Sequence, residues 1–76
     1  MTAEQFDAAH QAFRRRQPFR AFLIEFTSGA QMLVGHPEAV RQESQLYVTR
    51  SPDGGYVLFA ADNIARLFDV PTTAAT

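Results

Sequence analysis

Between residues 22 and 34 the chain alternates so regularly that its local structure is nearly dictated. Phe22, Ile24 and Phe26 occupy every second place, with Leu23, Glu25 and Thr27 between them. Apolar residues at a period of two are the mark of a strand with one buried face. Ser28-Gly29 is a turn signal, and residues 30–35 form a second strand. Face parity fixes the loop. A two-residue loop pairs Phe26 with Gln31 and puts an amide among the apolar side chains. The three-residue loop Thr27-Ser28-Gly29 pairs Phe26 with Ala30, Ile24 with Met32 and Phe22 with Val34. All six then share one face, and Gly29 takes the left-handed place such a loop requires. The same register sets Leu23 opposite Leu33, so the hairpin is apolar on both sides at that point.

A helix precedes the hairpin, over residues 3–16. Thr2 and Gln5 form a capping-box pattern at its start. Glu4 and Asp7 lie near the positive end of the helix dipole, and Arg14, Arg15 and Arg16 near the negative end. Phe6, Ala9 and Phe13 define its apolar face. Pro18 ends it, because a proline disfavours the helical region for the residue before it.

After the hairpin, residues 36–40 are read as a helical turn with Pro37 at its first position, and residues 42–45 as a polar connection. Residues 46–50 and 56–60 read as third and fourth strands around the Ser51-Pro52-Asp53-Gly54-Gly55 turn. Pairing symmetrical about Asp53 sets Val48 against Leu58 and Tyr47 against Phe59. The Val48 and Leu58 side is assigned to the core. Asp62 caps a single turn at Asn63-Ile64, residues 65–70 form a fifth strand, and residues 72–76 read as a flexible tail.

The expected fold is therefore mostly β with one N-terminal helix. The helix spans residues 3–16, and a small, partly open five-stranded barrel spans residues 19–71. A four-stranded open sheet with the helix across it is the competing architecture. Residues 1–71 make one domain, in keeping with a chain of 76 residues.

Composition narrows the function classes. Cysteine is absent, which removes disulfides, thiolate metal sites and a cysteine nucleophile together. Net charge is −1, so nothing global points to nucleic acid or to anionic lipid. No apolar run approaches the roughly 18 residues of a membrane span. No basic-then-apolar leader is present either, and a cytoplasmic protein is the expectation.

At this point the residues resemble a group of short bacterial proteins without an established activity. The resemblance lies in Arg16-Gln17-Pro18-Phe19-Arg20-Ala21-Phe22, Ser28-Gly29 and His36-Pro37-Glu38. In element order the chain is also similar to the Sm-like fold, including the bacterial RNA chaperones. That resemblance implies ring assembly through edge strands and RNA binding around a pore. The family's Tyr-Lys-His-Ala run corresponds here to Phe59-Ala60-Ala61-Asp62, without lysine or histidine.

Few residues offer chemistry. Arg14, Arg15, Arg16 and Arg20 form the one basic cluster, a candidate nucleic-acid or phosphate contact. Dipole complementation at a helix end is its structural alternative. His36 with Glu38 falls short of the three or four ligands of a metal site and reads as a turn cap, so no metal and no cofactor is expected. Ser28, Ser44 and Ser51 sit in turns, Gly54-Gly55 has no following phosphate-loop helix, and no nucleophile–base pair assembles. No catalytic residue is assigned.

The aromatics exceed what a barrel core needs. Leu23, Leu33, Tyr47, Phe59 and Phe68 are left over, because one 14-residue helix, about 21 Å long, covers a single stripe. These five form the candidate interface. The expected function is a non-enzymatic binding or assembly module that self-associates as a homo-oligomer. An Sm-like RNA-binding regulator using the arginines is the alternative.

Overall fold

The computed structural model describes residues 1–50 and 53–71. The last five residues, read above as a tail, lie outside the described residues, as do Ser51 and Pro52 of the second hairpin turn.

The helix α1 spans Ala3–Arg14. The Thr2 hydroxyl accepts from the Gln5 N–H, and the Gln5 side chain accepts from the Thr2 N–H, so the capping box forms as expected. The helix ends two residues early. Arg15 is its C-cap, and Arg16 already belongs to the connection.

Among the described residues six strands follow: β1 (Phe22–Phe26), β2 (Gln31–Val34), β3 (Val40–Glu43), β4 (Leu46–Arg50), β5 (Tyr56–Phe59) and β6 (Ile64–Asp69). They form two three-stranded antiparallel sheets, ordered β2-β1-β6 and β3-β4-β5. The expected five-stranded barrel is thus corrected on two counts, since there are six strands and the sheets do not close into a barrel. The extra strand is β3. Three of its four residues are polar, and it lies at a sheet edge where only Val40 is buried. A polar edge strand reads in sequence as a connection. Before it, residues 36–39 make a turn closed by an Ala39 N–H to His36 carbonyl bond of 3.1 Å, where a helical turn was expected.

The first hairpin has the predicted register. Phe22 faces Val34, Leu23 faces Leu33 and Ile24 faces Met32. The Phe26 N–H donates to the Ala30 carbonyl at 2.8 Å, enclosing Thr27-Ser28-Gly29, and Gly29 has φ of 93°. A Cβ added at Gly29 meets nothing within 4 Å, so a substitution there strains only the backbone. Gly29→Val should therefore cost about 1–3 kcal/mol in a urea melt, against about 0.5 kcal/mol for an ordinary surface change. An unchanged midpoint would contradict the left-handed assignment.

The core lies between the inner faces of the two sheets and under α1. It contains Phe6, Phe22, Ile24, Val34, Val40, Tyr47, Phe59, Ala61 and Ile64. Phe6 is the hub. Its ring lies 4.5 Å from Tyr47, 5.8 Å from Phe59 and 5.5 Å from His10. Phe26 meets Phe59 edge-on at 5.5 Å, joining the two sheets.

The second hairpin has the expected register but the opposite sidedness. Tyr47 pairs with Phe59 and Val48 with Leu58. Yet Tyr47 and Phe59 are buried, while Leu58 is 60% exposed. Both faces of this hairpin are apolar, so parity alone could not choose between them. The aromatic face wins because it buries more area against Phe6 and gives the Tyr47 hydroxyl a partner in Asp7. Ile64, read as part of a helical turn, is fully buried at the start of β6. The short turn lies earlier, at Ala61–Asn63, with Asp62 inside it rather than as its cap, and takes no cap from a side chain.

Candidate interaction surface

The inner faces of both sheets are used by the core, and α1 lies on that side. What remains is the outer face of each sheet. On β2-β1-β6, the cross-strand register places Leu33, Leu23 and Phe68 in one line. Gln31, Glu25 and Arg66 form the parallel polar line beside it. Leu33 is 61% exposed, and Leu23 and Phe68 are half-buried.

Arg66 ties the two lines together. Its Nε donates to Glu25 Oε1 at 2.9 Å, and its guanidinium lies 4.1 Å from the Phe68 ring centre. The cation covers part of Phe68 and leaves Leu33 the bare end of the row. Beyond Leu33, a shallow hollow is bounded by Arg20, Ala21, Asp69 and the exposed Val70.

The second sheet has its own outer face. Leu46, Tyr56 and Leu58 are exposed there, and the Arg50 guanidinium stands 5.7 Å from the Tyr56 ring. β5 and β6 are each paired on one side only. Each therefore offers a row of backbone donors and acceptors beside exposed apolar side chains.

The five candidate interface residues divide. Leu23, Leu33 and Phe68 form the outer row. Tyr47 and Phe59 do not join them, because both are core residues. Tyr47 donates its hydroxyl to Asp7 Oδ1 at 2.7 Å. Burial first, then that hydrogen bond and the Asp7 charge, push its pKa up to about 12. Leu58, assigned to the core by sequence, is instead exposed on that sheet together with Tyr56 and Leu46. No sequence signal distinguished the two sides of that hairpin.

The four arginines divide as well. Arg16 pairs with Asp69 at 2.5 Å, donates to the Arg20 carbonyl at 3.0 Å and lies 4.7 Å from the Phe13 ring. It is a brace between the end of α1 and the end of β6. Arg14 lines a groove beside α1, Arg20 borders the hollow near Leu33, and Arg15 is exposed. His36 caps its turn, with Nδ1 accepting from the Glu38 N–H at 3.1 Å. Among the described residues no group of three or more His, Asp or Glu side chains is placed to hold a metal, and no helix is long and apolar enough to cross a membrane. Comparison with protein-family models, with curated proteins and with solved structures finds no match for this chain.

Proposed function

We propose that the chain is a non-enzymatic assembly module that associates with copies of itself through the open strands β5 and β6. The observation that carries this reading is the apolar row running from the exposed Leu33 across the half-buried Leu23 to the half-buried Phe68 on the open strand β6. Pairing at such an edge satisfies the backbone, and covering each large side chain contributes on the order of 1.5–3 kcal/mol. Tyr56 and Leu58 beside the other open strand, β5, supply a second apolar surface of the same kind. A surface of this type closes into a ring when the rotation between copies permits, and gives a dimer otherwise.

The Sm-like RNA-binding reading draws less support. It needs four arginines acting together, whereas Arg16 is engaged by Asp69 and Arg14 and Arg20 border separate hollows.

Size-exclusion chromatography of Leu33→Asp and Leu58→Asp tests the assembly reading. Both variants should stay folded, since both positions are exposed, and both should elute later than the wild type. Elution unchanged in both would overturn it.

A further inference from the structure

A groove of about 260 Å³ separates α1 from β3. Its floor includes His10 and Tyr47, and its walls include Asp7 and Arg14 from the helix, and Glu38 and Arg41 from the opposite side. The volume falls just below the roughly 300–1,000 Å³ of drug-sized ligand sites, so the groove suits a small group.

Two features of this groove point to one kind of ligand, and His10 on its floor reports on it. His10 is only 7% exposed, and its Nε2 is buried without a hydrogen bond, out of reach of anything in the groove. Arg14 lies one helical turn further along the same face, close enough for its charge to act on the imidazole. The two side-chain ion pairs among the described residues, Arg16–Asp69 and Arg66–Glu25, involve neither Arg14 nor Arg41. Finally, β3 is paired on one side only, by β4, so backbone donors remain along its free edge.

We propose that this groove binds a small oxyanion, the carboxylate or phosphoryl group of a small molecule, with the Arg14 guanidinium as its principal cation and Arg41 on the facing wall. The acids present set the limits of the site. Asp7 is engaged by the Tyr47 hydroxyl. Glu38 on the rim opposes a polyanion, which selects a compact ligand over a nucleic-acid backbone. An anion beside Arg14 offsets the repulsion between that cation and an imidazolium at His10. Binding therefore favours proton uptake by His10 and strengthens as pH falls. Asp7, Glu38, Arg41 and Tyr47 are the other charged or titratable groups around it.

The test is NMR titration with inorganic phosphate and, separately, with acetate, following the His10 ring resonances. At least one anion should move them in a saturable way and raise the His10 pKa. Saturation by phosphate alone identifies a phosphoryl ligand, by acetate alone a carboxylate ligand. Arg14→Gln should weaken the response about tenfold, the worth of one charge-assisted hydrogen bond. Arg15→Gln, on the exposed side, should leave it unchanged. The proposal fails if neither anion moves the His10 resonances. It also fails if Arg14→Gln and Arg15→Gln act equally, which marks bulk screening. Because Arg14→Gln removes a cation near His10, it should raise the His10 pKa even without anion. That check confirms the variant is folded around the groove.

Discussion

Phe6→Ala is expected to cost about 3–5 kcal/mol, the usual penalty for deleting a fully buried phenylalanine. Phe6 is wholly inaccessible and touches Tyr47, Phe59 and His10, so its loss opens the core where the helix meets the second sheet. A chain this short has a marginal stability, and the variant should be largely unfolded at room temperature. Leu58→Ala is the contrast. At 60% exposure in the single chain it should change stability by no more than about 0.5 kcal/mol at concentrations too dilute for self-association. Urea denaturation followed by circular dichroism reads both. A large loss at Leu58 with a small one at Phe6 would mean that the second hairpin presents its other face to the core.

The second large effect is acid sensitivity from His10. Burial, reinforced by the Arg14 charge and partly opposed by Asp7, lowers the His10 pKa below its ordinary 6.5. The folded protein then resists a proton that the unfolded chain accepts. Stability from this group is fully present above pH 6.5 and is lost progressively as pH falls through the depressed folded value. His10→Phe keeps an apolar ring between Phe6 and Phe22 and removes the unpaired nitrogen. It should be at least as stable as the wild type at neutral pH, and the gap should widen as pH drops below 6.5. Parallel stability curves for the two proteins across that range would contradict the burial of a neutral imidazole.

Sequence reasoning reached furthest where one local signal had a single physical solution. The Thr2–Gln5 cap and the first hairpin are such cases, because a two-residue loop would put Gln31 on the apolar face and the three-residue loop does not. It stopped where two solutions were locally equal. Tyr47 and Phe59 could go in or Val48 and Leu58 could, and only the tertiary position of Phe6 decides. β3 was illegible for a different reason, since an exposed edge strand needs no apolar alternation beyond Val40. Of the candidate interface, Leu23 and Leu33 were readable from the hairpin register, whereas Phe68 stood out only as a surplus aromatic, since nothing in the sequence paired β6 with β1. The groove was not. Its residues come from α1, the turn before β3, β3 itself and β4, and their meeting depends on how the helix crosses the sheets. A histidine between Phe6 and Phe13 on the helix was the one available hint, since His10 is four residues from Phe6 and shares its face.

Multi-angle light scattering across a concentration series reads self-association most directly, without labels or variants. The single chain has a mass of 8.5 kDa. The mass should rise with concentration to a whole multiple of that value and persist in high salt, because apolar and backbone contacts are not screened as charges are. A mass of one chain at every concentration up to the millimolar range would contradict it.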